Sequence, residues 1–116
     1  MKVLIVEDEA MVRLIGADAV ADAGYEVLEA SSADEALTIL QGAEQVHILF
    51  SDIRMPGSMD GMQLARIVHD RWPSIRIVLT SGDTFLQDRD VPDHGRFLAK
   101  PYKVDALQRT ITELAS

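Results

Sequence analysis

Five short apolar runs alternate with helical patterns along the chain. VLIV at 3–6 is uniformly apolar, as strands buried on both faces are, and in the segment behind it Val12, Ile15, Gly16, Ala19, Val20 and Ala23 fall on one helical stripe. Gly24 suits the left-handed position that ends such a helix. Tyr25 to Leu28 is the second run. Ser32 with Glu35 three residues on has the form of a capping box, opening a helix whose stripe is Ala33, Ala36, Leu37 and Leu40, up to Gly42. VHILF (46–50) is the third strand and IRIVLT (75–80) the fourth. The helix between them carries Leu64, Ala65 and Val68 and must stop near Trp72, because Pro73 disfavours helical backbone in the residue before it. RFLA (96–99) is the fifth strand, and Val104, Leu107, Ile111 and Leu114 mark a C-terminal helix.

Strands alternating with helices imply βαβ units, right-handed crossovers and a parallel sheet covered on both faces. The expected fold is therefore α/β, a doubly wound five-stranded parallel sheet with the flavodoxin-like strand order 2-1-3-4-5. Residues 1–116 show no internal repeat, low-complexity tract or linker and are expected to form one domain. The pattern is weakest at GDTFLQDRDVPDHG (82–95), where a fourth helix is due but Pro92 and Gly95 leave room for two turns at most. That helix is expected to be short, irregular or missing.

With 116 residues, 47% of them hydrophobic, the chain can bury a core without metal or disulfide staples. It has no cysteine, which excludes thiolate catalysis, disulfides and cysteine zinc sites. Nineteen acidic against eleven basic side chains give a net charge of −8 without any basic cluster, which argues against direct binding to nucleic acid or to an anionic membrane. The apolar stretch in MKVLIVEDEA is too short for a signal peptide and far below the roughly 20 residues that span a bilayer, so a cytoplasmic location is expected.

In open α/β sheets the ligand crevice lies outside the carboxyl ends of the strands. Glu7, Asp8 and Glu9 follow the first strand, Asp52 ends the third, Thr80 and Ser81 end the fourth, and Lys100 follows the fifth. Singly, each has an ordinary explanation. The acids favour a helix N-terminus, Asp52 caps the turn through Met55, Pro56 and Gly57, Thr80 caps a helix, and Lys100 is a solvated loop lysine. Together they bring carboxylates, a hydroxyl and an ammonium to one rim. Clustered carboxylates repel unless a cation sits among them, and an all-oxygen donor set favours Mg²⁺ or Mn²⁺. A carboxylate beside such an ion, faced by an ammonium and a hydroxyl, is equipped to attack phosphorus and form an acyl phosphate. His47, His69 and His94 match no metal-ligand spacing and read as structural or surface residues.

IVEDE after strand 1, SDIRMPG with MDG after strand 3, LTSG after strand 4 and LAKPY after strand 5 resemble, in order and separation, the receiver domain of two-component response regulators of the chemotaxis-regulator type. The resemblance covers essentially the whole chain. It implies that Asp52 is the phosphoacceptor, charged by a phosphohistidine on a sensor histidine kinase or a histidine phosphotransfer protein. Self-phosphorylation and autodephosphorylation would be its only chemistry, so it would not be an enzyme in the ordinary sense. Mg²⁺ would be held by Glu7, Asp8, Asp52 and the backbone carbonyl of Arg54, Thr80 and Lys100 would contact the phosphoryl oxygens, and the Lys100–Pro101 bond would be cis. Switching would move Thr80 toward the phosphoryl group and turn Phe97 inward, although Phe97 also reads simply as a core aromatic. Arg54 and Gly82 stand where the family tunes the lifetime of the phosphoryl group.

The chain also departs from the family pattern. The loop between Pro56 and Met59 is one residue longer than the commonest form, and the reduced fourth helix lies on the family's usual dimer and output face, so a monomer or weak dimer is expected. Met11 and Leu14 lie off the core stripe, near the family's phosphodonor docking surface. No effector domain is expected, which leaves a stand-alone receiver with an unknown protein target or the receiver of a hybrid histidine kinase. A phosphatase of the haloacid dehalogenase type would need a second Asp two residues after the nucleophile, where Arg54 stands. An FMN carrier would need a hydroxyl- and glycine-rich phosphate loop where Glu7, Asp8 and Glu9 stand.

Overall fold

A computed structural model of the chain describes residues 1–42 and 45–116. Strands β1 (Lys2–Val6), β2 (Glu26–Ala30), β3 (Ile48–Asp52), β4 (Arg76–Ser81) and β5 (Arg96–Ala99) form one parallel sheet in the order 2-1-3-4-5. Helices α1 (Ala10–Asp22), α2 (Ala33–Gln41), α3 (Gly61–Arg71) and α4 (Val104–Ala115) complete the expected doubly wound fold. Tyr25, Val46, His47 and Ile75 precede the strands to which the apolar pattern assigned them. Burial of a run begins in the turn, whereas the ladder begins only where a partner strand lies alongside.

Alternation along each strand divides the core in two. Val3, Ile5, Ile48, Phe50 and Val78 pack with Leu107, Ile111 and Leu114 of α4 and with Ala17, Ala19 and Val20 of α1. Leu4, Val6, Leu49, Ile77 and Leu79 face the other way, onto Ala33, Ala36 and Leu40 of α2 and Leu64, Ala65 and Val68 of α3. Helices on both faces leave the two ends of the sheet as the places where polar groups gather.

The α1 stripe differs from the expected one. Ile15 is 50% exposed and Ala23 is exposed, while Ala17 is buried. The contact is made through small residues, and a Cβ on Gly16 would stand 3.3 Å from the Tyr102 hydroxyl. Close approach therefore narrows the buried stripe and leaves Ile15 at its edge, beside Met11 and Leu14, which are exposed as expected. Gly24 adopts φ +99°, the left-handed value expected where α1 ends.

Ser32 accepts the Glu35 N–H, but the Glu35 carboxylate turns to the N–H and hydroxyl of Ser31, so the expected capping box is shifted by one residue. Asp60 and Gln63 form the full reciprocal box at α3, which ends at Arg71 with Trp72 as its C-cap. The fourth crossover contains two single 3₁₀ turns, Asp88–Asp90 and Pro92–His94, in place of a helix. Asp88 Oδ1 accepts the Phe97 N–H at 2.9 Å, so a side chain takes a donor on the edge strand β5. His47, half-buried, accepts the Lys2 N–H at 3.0 Å through Nδ1, the structural role expected of it.

The turn that leads into α3 passes against the strand end. Gly61 N–H donates to the Ile53 carbonyl at 2.8 Å, and a Cβ on Gly61 would overlap the Asp52 carbonyl oxygen and come within 2.9 Å of Ile53 Cα. Gly61→Ala should therefore lower unfolding free energy in urea by about 1–3 kcal/mol, the usual range for overpacking a close contact. An unchanged unfolding midpoint would mean that the turn relaxes without cost.

Candidate functional site at the carboxyl ends of the strands

Counting on by two from the residues that face α1 and α4, four strands end in a reactive side chain. Glu7 continues Val3 and Ile5, Asp52 continues Ile48 and Phe50, Thr80 continues Val78, and Lys100 continues Leu98. Asp52 and Thr80 are register partners on β3 and β4. All four therefore emerge at the same end of the sheet, and Glu7, Asp52 and Thr80 are buried there.

Lys100 joins the acids. Its Nζ donates to Glu7 Oε1 at 2.6 Å and to Asp52 Oδ2 at 3.1 Å. Burial pulls this ammonium toward deprotonation, but hydrogen bonds and charge from Glu7 and Asp52 outweigh it and hold the group above the ordinary lysine value. Glu7, Asp8 and Asp52 each bring a carboxylate oxygen to within 4.8 Å of the others. Desolvation at the rim pushes the exposed Asp8 carboxyl up, and the hydrogen bond and charge of Glu7 push it further. Glu9 stands apart from this group: its N–H donates to Glu7 Oε2 at 3.1 Å, and it serves as the N-cap position of α1. Arg54 N–H donates to Asp52 Oδ1 at 3.4 Å. The Lys100–Pro101 bond is cis, as expected.

The Thr80 hydroxyl lies next to Asp52 in register but donates to the Leu98 carbonyl of β5 at 2.5 Å. The sequence places the residue; the direction of its hydroxyl depends on the neighbouring strand. Phe97 is half-buried against the α2 and α3 side of the core and meets the edge of Phe85, with ring centroids 5.7 Å apart and planes at 70°. Gly82 lies beside the stem of Lys100, where an added Cβ would be 3.6 Å from Lys100 Cβ.

Three features were not visible in the sequence pattern. Phe85, 78% exposed, rests on Phe97 from the irregular crossover. The Arg54 guanidinium reaches across to Asp83, with 3.0 Å between Nε and Oδ2. The Ser81 hydroxyl above all holds the Asp83 carboxyl below the usual carboxylate value, against desolvation and with help from Arg54 and Thr84. Tyr102, within the LAKPY motif, packs edge-on against Phe50 and lines a groove of about 450 Å³ with Val12, Ile15, Gly82, Lys100 and Pro101. Spacing along the chain gives no signal for contacts between two loops whose paths are unknown.

Comparison with known proteins decides the family. Residues 3–112 match the response regulator receiver domain. The chain belongs to the response regulator receiver family. This receiver is 39% identical over 117 residues to the sensor kinase CckA of Brucella abortus, covering 97% of this chain but 12% of the kinase. It is 30% identical to the response regulator receiver protein CpdR of the same organism, covering 97% of this chain and 95% of that protein. A crystal structure of a response regulator receiver protein from Sinorhizobium medicae superposes with a TM-score of 0.89 at 30% identity, over 98% of this chain and 93% of that one. The receiver is thus a signalling module of two-component systems. Among its described residues no helix is long and apolar enough to cross a membrane.

The raised Asp8 carboxyl makes a prediction for the metal-free receiver. Asp8 binds its proton more tightly folded than unfolded, so its contribution to stability falls as pH rises from the ordinary value of 3.8 through the raised one. Asp8→Asn should therefore raise the urea midpoint of metal-free protein at pH 7 and have little effect at pH 3. Equal effects at both pH values would show that charge is not the cause.

Proposed function

We propose that this receiver accepts a phosphoryl group from a phosphohistidine onto Asp52 and signals through protein contacts. The observation that carries the reading is the Lys100 ammonium, 2.6 Å from Glu7 and 3.1 Å from Asp52 within a cluster of three carboxylates. An Asp52 oxygen attacks phosphorus, the bond from phosphorus to the donor imidazole nitrogen breaks, and that nitrogen keeps the electron pair. Lys100 is near enough to Asp52 to follow charge as it spreads over the phosphoryl oxygens. Glu7, Asp8, Asp52 and the Arg54 carbonyl would hold Mg²⁺ or Mn²⁺, which when bound offsets the charge of the incoming phosphoryl group. The donor set fits such an ion: it is all oxygen, and three carboxylate oxygens within 4.8 Å of one another raise the cost of their shared negative charge, which a bound cation would offset.

Thr80 and Phe97 form the switch. The Thr80 hydroxyl exchanges the Leu98 carbonyl for a phosphoryl oxygen, which releases β5 next to Phe97 and lets that ring leave Phe85 and turn inward. Arg54 and Gly82, on the loops that flank Asp52, tune the lifetime of the phosphoryl group. The donor is a sensor histidine kinase or a histidine phosphotransfer protein. Its helix docks along exposed Met11 and Leu14 and the apolar groove beside Lys100. The receiver works in the cytoplasm as a monomer or weak dimer, since Asp88 occupies a donor on the β5 edge. The output target is a protein. The identity with the CckA kinase over 12% of that protein's length supports a second reading, in which the receiver serves a hybrid kinase.

Intact-mass analysis after incubation with Mg²⁺ and acetyl phosphate should give one phosphoryl adduct, absent from Asp52→Asn. A folded protein that gains no adduct would overturn the reading. Thr80→Ala should still form the adduct, more slowly, but the aromatic NMR signals of Phe97 should no longer shift on phosphorylation. Equal shifts in both proteins would separate Thr80 from the switch.

A further inference from the structure

We infer that Asp83 is a positioning residue for the phosphoryl chemistry: its ion pair with Arg54 ties the loops after β3 and β4 together across the mouth of the site and restrains access to Asp52. The inference rests on Asp52 being the phosphoacceptor. Arg54 begins at the nucleophile, where its N–H donates to Asp52 Oδ1, and ends on Asp83 Oδ2 at 3.0 Å. The carboxylate it meets is oriented in advance. Asp83 Oδ1 accepts from the Ser81 hydroxyl at 2.8 Å and from the Thr84 hydroxyl at 3.3 Å, which leaves Oδ2 for the guanidinium. Ser81 is itself buried, and its oxygen accepts the N–H groups of Asp83 and Thr84. The anchor for this side of the mouth is therefore the end of β4.

The two loops flank the target. Asp52 and Thr80 are register partners, and the ion pair joins the residue two positions after the first to the residue three positions after the second. Gly82, between Ser81 and Asp83, has no side chain to span the gap. Both partners are exposed, with 70% and 56% of their side chains accessible, so the pair is weak enough to open for a donor and is screened by salt. Hydrolysis of the acyl phosphate needs the same opening. A water oxygen bonds to phosphorus, the bond from phosphorus to the Asp52 oxygen breaks, the carboxylate keeps the pair, and the water's proton passes to solvent.

The test is a double-mutant cycle on the full chain loaded with Mg²⁺ and acetyl phosphate, reading adduct formation and adduct decay by intact mass. Asp83→Ala and Arg54→Gln should each speed both processes by about two- to fivefold, the range open to an exposed ion pair, and the double variant should go no further than either single one. Raising ionic strength should shorten the wild-type adduct lifetime and leave that of Asp83→Ala comparatively unchanged. Additive effects, or an identical salt response in the two proteins, would overturn the inference while leaving the phosphoacceptor reading intact. The absence of any adduct on the wild type would remove that reading and the inference with it. Mg²⁺ affinity and urea midpoint, measured alongside, should stay within error for Asp83→Ala; a large change in either would assign Asp83 to the fold instead.

Discussion

The ammonium of Lys100 holds together a rim that would otherwise come apart. Three carboxylates within 4.8 Å of one another repel, and two of them belong to buried residues, where the repulsion is least screened. Lys100 reaches Glu7 on the far side of β3 and Asp52 on β3 itself from its place after the edge strand β5. One side chain thus links the first strand to the last, and the contact forms only when the strands between them are paired in the right order. A buried ion pair is weak support for stability, because desolvation offsets much of the attraction. Its value here lies in arranging the acids around a fixed positive charge, ready for a ligand that carries charges of its own.

How much of this was legible in the sequence follows from what each inference required. Largely apolar runs of four to six residues are enough to identify buried parallel strands, and the residues that end them are enough to name Glu7, Asp8, Asp52, Thr80 and Lys100. Those two steps need only local patterns and the rule that ligands gather at carboxyl ends. Ile15 was misplaced because helical periodicity reports a stripe but not its width, and the width here is set by the small side chains of Gly16, Ala17 and Ala19. The hydroxyl direction of Thr80 and the reach of Arg54 depend on atoms brought in from other parts of the chain. No window of neighbouring residues contains that information.

The fourth crossover shows how a missing helix can be replaced by point contacts. Arg76 Nε lies 3.3 Å from Asp93 Oδ2, Asp88 takes a backbone donor of β5, and Phe85 covers Phe97. Each contact does one task that a helix would do with a whole face. The segment consequently has little apolar area of its own holding it down: Val91 is its one buried side chain. Segments with few buried contacts are those that open at low cost, which suits a region beside the strand that carries Phe97.

The alternation that sets Glu7, Asp52, Thr80 and Lys100 on the face of α1 and α4 makes the four strands behave like a reading frame. A single inserted or deleted residue within β3 would exchange the companies of Phe50 and Leu49 and, in the same stroke, turn Asp52 to the opposite layer. The loops carry no such frame, and the turn between Pro56 and Met59 follows a nucleophile that stays 3.1 Å from Lys100. A change of length is therefore tolerated in the connections far more readily than in the strands, and the spacing within each strand is as much a part of the chemistry as the side chains at its end.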